Sequence, residues 1–256
     1  MRTHGQSVHD QFDPQAQAYL TSRVHADGPD LAHAARLVAR TLSPGARGLD
    51  VGCGAGHLSF RLAPLLGRIV ALDPSAGMLA TVAQVAAERG LANLETREGR
   101  AEALPFAAAS FELLATRYSA HHWTHLPAAL AEMARVTRPA GWLLLIDTLA
   151  PEDALADTHL QSIELLRDAS HVRNRSGSEW RGLLQHAGFE LLEQQQWPTR
   201  IEFGAWVQRM RTPPTHVTAI RSLQSHAPAE VQQVLDYEPD GSFLLQTSLF
   251  WARRRH

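Results

Sequence analysis

The segment Leu49-Asp50-Val51-Gly52-Cys53-Gly54-Ala55-Gly56-His57 carries the sharpest chemical pattern in the chain. Glycines alternate after a short apolar run and before a helical one. Lacking Cβ atoms, such a turn can take positive φ and lets a ligand approach the backbone closely. A following helix offers its first amides. Two carboxylates frame the turn: Asp50 precedes the glycines, and Asp73 ends the next apolar run, Arg68–Asp73. A carboxylate in the second position can accept both hydroxyls of a ribose. Cys53, the single cysteine, reads as a small packing residue of the turn and excludes an intramolecular disulfide. A second concentration is His121-His122-Trp123-Thr124-His125. His122 is a candidate general base, because imidazole titrates near neutrality. His121 and His125 have the i, i+4 spacing of a helical metal pair, but no neighbouring acid or cysteine completes a site, and no metal is expected.

The glycine spacing narrows the ligand. In the dinucleotide fingerprint G-x-G-x-x-G the third glycine comes later; here it falls one residue early, at Gly56, and His57 takes its place. Asp50 would also set a negative charge beside a pyrophosphate. A ligand with a ribose, a cationic end and no phosphate suits both carboxylates, and S-adenosyl-L-methionine answers that description. Composition closes other routes. The 256 residues carry 24 basic and 26 acidic groups, and every basic one is arginine. A lysine Schiff base, a P-loop lysine and a Ser-Lys dyad are thereby excluded. The charge of −2 argues against a nucleic-acid partner, and the basic run Arg253-Arg254-Arg255 reads as a solvated tail. No apolar run is long enough for a membrane span and the start lacks an apolar leader, which points to the cytoplasm.

Short apolar runs alternate with helical ones from residue 46 onward. Strands are expected at Arg47–Val51, Arg68–Asp73, Asn93–Glu98, Phe111–Thr116 and Trp142–Thr148, with helices at 58–66, 75–90 and 127–137 between them. That alternation means crossover connections and a parallel sheet. Ala32–Leu42 reads as an amphipathic helix, and Arg138-Pro139-Ala140-Gly141 as a turn. Farther on, helices are expected at 152–167 and 178–187, a strand at Phe189–Trp197, short helices at 203–211 and 228–237 around a Pro-rich loop, and a final strand at Ser242–Ala252. The domain organisation expected is a single domain over 1–256. An N-terminal helical cap spans 1–45, the core 46–150, lid insertions 151–176 and 203–240, and the rest of the core sheet 177–202 and 241–256.

With LDVGCGAG, ALDPSAGML, GRAEALPF, FELLATRYSAHHW and EMARVTRPAGWLLLID in order, the chain resembles the class I S-adenosylmethionine-dependent methyltransferases. Within them it is similar to the type 11 domain and the ubiquinone/menaquinone biosynthesis methylases, over residues 9–150. The resemblance implies an α/β fold: a Rossmann-like, seven-stranded, mostly parallel sheet with helices on both faces and the last strand antiparallel. It also assigns roles. Asp50, Gly52, Cys53, Gly54 and Gly56 would hold the methionine part of the cofactor. Asp73 would bind the ribose, with Pro74, Ser75 and Met78 along that wall. Ala101 and Glu102 would lie at the adenine edge, and Arg117 and Tyr118 beneath the methyl-bearing sulfur. Tyr19, in FDPQAQAY, would fold over the cofactor. His122 and Tyr118 are the catalytic candidates. Arg100 stands where many relatives have an aspartate, and it cannot accept from the adenine amino group.

These residues imply an enzyme that methylates a small molecule. Trp180, Trp197, Phe203, Trp206, Met210 and Tyr237 suggest an apolar or aromatic acceptor walled in part by the lid. A non-catalytic cofactor binder and a nicotinamide-dependent dehydrogenase are the alternatives, and a monomer and a homodimer are both open.

Overall fold

The computed structural model describes residues 3–6 and 28–255. Helix α1 (Pro29–Thr41) leads into β1 (Arg47–Val51), and α2 (His57–Leu62) follows the glycine turn. Then come β2 (Arg68–Asp73), α3 (Ala76–Glu88), β3 (Leu94–Glu98), β4 (Phe111–Arg117), α4 (Leu126–Val136) and β5 (Thr137–Leu149). Helices α5 (Ala154–Arg167) and α6 (Gly177–His186) precede β6 (Phe189–Ile201). Helices α7 (Phe203–Arg209), α8 (Pro214–Ser225) and α9 (Ala229–Leu235) precede β7 (Phe243–Arg254).

The strands form one sheet in the order β3-β2-β1-β4-β5-β7-β6. Neighbouring pairs from β3 to β5 are parallel, and β7 runs antiparallel to both β5 and β6. The expected seven-stranded sheet with an antiparallel last strand is therefore the one observed. Buried apolar side chains line both faces, because successive strand residues point to opposite sides. Leu49, Val51, Val70 and Leu114 pack with α4 and α6. Ile69, Ala71, Leu113 and Ala115 pack with α1, α2 and α3. Such two-sided burial explains why these strands read as apolar runs. No described helix is long and apolar enough to cross a membrane.

Local chemistry sets the element ends. Ser75 caps α3 by accepting from Met78 N, and Ser176 with Glu179 forms a capping box on α6. Arg138–Gly141, expected as a turn, is part of β5, as a bulge: Thr137 pairs with Phe111 and Trp142 with Leu113. Three further expectations change. The Pro-rich segment after α7 is largely helical. Pro214 starts α8, where a missing N–H costs nothing, and buried Ile220 anchors it on the α5–α9 layer. Arg253 and Arg254 belong to β7 rather than to a free tail: Arg253 donates to Ala140 O and lies over Trp142, and Arg254 donates to Thr137 O. The aromatic residues of the later segments pack on the sheet or on each other: Trp206 meets Phe243 edge-on at 5.1 Å, Tyr237 lies 5.7 Å from Phe243, and Trp180 sits on Phe250.

Candidate active site

The carboxyl ends of β1, β2 and β4 open onto a cavity of about 640 Å3. Strand order reverses between β1 and β4, the position where open α/β sheets bind ligands. The glycine turn is one wall. Gly52 and Cys53 both donate to Leu72 O, which ties the turn to the end of β2. Gly52 has φ +68°, and a Cβ there would stand 1.9 Å from Ser119 Oγ. Gly56 has φ +87°, and a Cβ there would meet Phe60 and Val82 within 3 Å. The glycines are thus required twice over, by backbone conformation and by close packing.

Asp73 Oδ2 accepts from Gly54 N at 2.9 Å and Oδ1 from Ser75 N at 2.9 Å. These amides fix the carboxylate at the cavity wall. Pro74, Ser75, Met78, Ala101 and Glu102 also line the cavity. Replacing Asp73 with alanine is expected to weaken S-adenosylmethionine binding tenfold or more, through loss of hydrogen bonds to a charged acceptor. Calorimetric titration checks this, and unchanged affinity in a folded variant would remove Asp73 from the site.

Asp50 is 1% exposed, and its Oδ2 accepts from Ser59 Oγ at 2.6 Å. Its Oδ1 is buried without a hydrogen-bond partner among the described residues. Burial lifts its pKa to about 7; the Ser59 bond opposes the rise and the charge of Asp73 adds to it. A buried acceptor on a cavity wall, beside a second carboxylate, matches an ammonium ligand. The α-amino group of S-adenosylmethionine supplies that charge, so the donor set fits the cofactor. Burial pushes the Cys53 thiol well above its usual value, which leaves it a neutral packing group of the turn.

Arg117 ends β4 and Tyr118 follows it, and both line the cavity. Arg117 Nε donates to Asp30 Oδ2 of α1 at 2.5 Å, and its guanidinium lies 4.4 Å from the Tyr118 ring. Tyr118 takes φ +52°, which turns the chain out of the strand. Its hydroxyl meets Thr247 Oγ1 at 3.2 Å, and burial raises its pKa. Tyr118 therefore presents an occupied, neutral phenol.

His122 lines the cavity on a short 3-10 turn, Ala120–His122. Its Nδ1 lies 3.0 Å from Ser170 O. A carbonyl only accepts, so Nδ1 carries the proton and Nε2 holds the lone pair in the neutral ring. Burial first, and then neighbouring His121, lower its pKa to about 4. His121 and His125 do not share a helix face, because the turn ends at His122 and α4 starts at Leu126. Tyr19 lies outside the described residues.

The structure adds wall residues that the sequence pattern did not single out. Thr3–Gln6 reach the cavity, and His4 Nε2 donates to Ser170 O at 3.0 Å. Ser119, which accepts from Trp123 Nε1, also lines it. Thr3–Gln6 belong to no motif and Ser119 sits in FELLATRYSAHHW without a role read for it; only the fold shows them at the cavity. Arg100 lines the cavity too, close to Gly5. Residues 151–176 and 203–240 supply no wall residue among those described.

Known proteins agree with this construction. A methyltransferase-domain family model, the type 11 group, matches residues 49–145. The uncharacterised Escherichia coli protein YafE is 42% identical over 192 residues, which cover 75% of this chain and 93% of that protein. The uncharacterised Bacillus subtilis methyltransferase YcgJ is 34% identical over 223 residues, 86% of this chain and 87% of YcgJ. Its crystal structure superposes with a TM-score of 0.84 over 89% of this chain and 98% of that one. A ubiquinone/menaquinone biosynthesis C-methyltransferase of Brucella anthropi is 37% identical over 108 residues, 41% of each chain. The chain belongs to the class I S-adenosylmethionine-dependent methyltransferases. It is an enzyme of that class, with S-adenosylmethionine as its cofactor.

Proposed function

We propose that this methyltransferase modifies a small, largely apolar and flat molecule, with His122 removing a proton from the acceptor. The carrying observation is the hydrogen bond from His122 Nδ1 to Ser170 O, which fixes the tautomer that a base requires on a ring lining the cavity. Asp50 and the glycine turn would hold the methionine part of the cofactor, Asp73 the ribose, and Ala101 with Glu102 the adenine edge. When bound, S-adenosylmethionine supplies an electrophilic methyl group on a cationic sulfur. The chain's part is to place the acceptor atom, remove its proton and keep water away.

Tyr118, Trp123 and His122 line the cavity, and these ring side chains support an apolar, ring-shaped acceptor. The aromatic side chains of the later helices do not contribute, since they are committed to packing. The name of the Brucella anthropi relative points the same way, to a quinone pathway, across less than half of each chain. A base with a pKa of about 4 suits an acidic acceptor, such as an enol or a hydroxylated quinone, better than an ordinary alcohol.

Parallel calorimetric titrations with S-adenosylmethionine, S-adenosylhomocysteine and NADH test the site. Micromolar binding of the first two and none of the third is expected; binding of NADH alone would overturn the reading. Replacing His122 with asparagine is expected to lower kcat about 100-fold with any acceptor found by screening, while cofactor affinity stays within a few-fold. A near-normal kcat would reduce His122 to a wall residue.

A further inference from the structure

Beneath His122 lies a polar cluster that the methyl-transfer reading leaves unused. Asp147, on β5, is 1% exposed. Its Oδ1 accepts from His121 Nδ1 at 2.6 Å and its Oδ2 from His121 N at 3.2 Å. The His121 and His122 rings stand 4.3 Å apart between centroids. His121 O accepts from both Val172 N and Arg173 N, which fastens the loop after α5 to the histidine turn. Ser170 in that loop is held through its N and Oγ, both donating to Asp168 Oδ1. Ser170 O in turn receives His122 Nδ1 and His4 Nε2. One carboxylate thus orients His121, and His121 orients both the ring beside it and the loop that selects that ring's tautomer.

We propose that Asp147 and His121 are a positioning pair: Asp147 keeps His121 as an imidazolium, and that cation beside His122 keeps the His122 ring uncharged, with its proton on Nδ1. The proposal rests on the reading of His122 as the base and gives that base its protonation state.

The physical case is electrostatic. His121 is buried, which opposes its charge, but the Asp147 carboxylate at hydrogen-bond distance outweighs burial and raises its pKa. A cation at ring contact then disfavours a second one on His122, in addition to burial. The other groups facing His122 have mixed signs. Asp147 and Asp168 favour its charge. His171, Glu164, Arg167 and Arg173 surround the same cluster. Arg117 ends β4 on the same cavity, and His4 shares the Ser170 carbonyl. His171 Nε2 donates to Gln161 Oε1 at 2.9 Å, and burial pushes its pKa far down, so it adds no charge. His121 is the positive charge in ring contact. In the reaction step the acceptor X–H bond breaks, its electron pair stays on X, and the proton bonds to His122 Nε2. The imidazolium formed next to His121 is unstable and returns its proton to solvent before the next turnover.

The test is imidazole nitrogen NMR on the ligand-free full-length protein, with Asp147→Asn and His121→Gln compared with the parent. Expected at pH 7 in the parent are an imidazolium at His121 and a neutral, Nδ1-protonated ring at His122. In Asp147→Asn, His121 is expected to be neutral. In both variants the His122 midpoint should move upward by about one unit or more. The acid limb of kcat/KM should move by the same amount. His121→Gln keeps the fold testable if Asp147→Asn does not fold. A neutral His121 in the parent at pH 7, or an unmoved His122 midpoint in the variants, overturns the proposal. A moved midpoint with an unmoved acid limb supports the pair and overturns only the base role of His122.

Discussion

Asp50→Asn is expected to make the cofactor-free protein more stable at pH 8 and, at the same time, a far poorer binder of S-adenosylmethionine. An ordinary aspartate ionises near 3.9, and Asp50 in the folded chain near 7. The folded state therefore binds the proton more tightly than the unfolded state. The corresponding stability is fully present below about pH 4 and is lost as pH rises to about 7. Three units correspond to about 4 kcal/mol, and a buried amide without a partner costs about 1–3 kcal/mol. A net gain of about 1–3 kcal/mol is expected for the variant in urea unfolding at pH 8, shrinking or reversing at pH 4. Binding shows the converse. Losing a charged acceptor for the ammonium costs about 1.5–3 kcal/mol, or roughly 10- to 100-fold in Kd. In the parent, the cation draws Asp50 into its ionised form, so affinity should rise with pH until about 7 and then level. Titrations at pH 7 in two buffers of different ionisation enthalpy should show proton release, and the asparagine variant should show none. Unchanged affinity with buffer-independent heat in the parent would remove Asp50 from the cofactor site.

The second large effect is expected at Asp30. The ion pair between Arg117 at the end of β4 and Asp30 in the first turn of α1 is almost wholly buried, with side-chain exposures of 5% and 3%. Asp30→Asn leaves the Arg117 charge without its Asp30 partner at a low-dielectric cavity floor. Removing one member of a buried pair costs about 3–5 kcal/mol. Denaturant unfolding should show that loss, and Arg117→Met added to Asp30→Asn should recover a large part of it. Full additivity of the two losses would show that the residues act independently. Because α1 carries the chain into β1, the same change should loosen the cavity wall at Arg117 and Tyr118. Cofactor affinity should fall together with stability.

Much of the cavity wall proposed for the cofactor was legible in the chain. Gly52, Gly54, Gly56, Asp50 and Asp73 lie within 24 residues of sequence, on one β-turn-α-β unit whose geometry is local. The strands were legible for a related reason: burial on both faces demands continuous apolar runs. Helix α8 was obscured by its prolines and its β-branched residues, and the reason it forms is the burial of Ile220 against α5 and α9. The aromatic residues of the later helices looked like pocket walls because type alone does not distinguish a wall from a core. Their neighbours, Phe243 and Phe250 on β7, make them core.

Composition and spacing alone determined the α/β class, the cofactor and the carboxylates proposed to receive it, because these depend on contacts between residues close in sequence. Only the tertiary structure decided what surrounds Arg117 and His122. Arg117 meets Asp30 across 87 positions, His122 meets Ser170 across 48, and His121 meets Asp147 across 26. No periodicity records such pairs. They exist because the crossovers of a parallel sheet bring the ends of separate strands to one edge, where burial turns ordinary side chains into coupled charges.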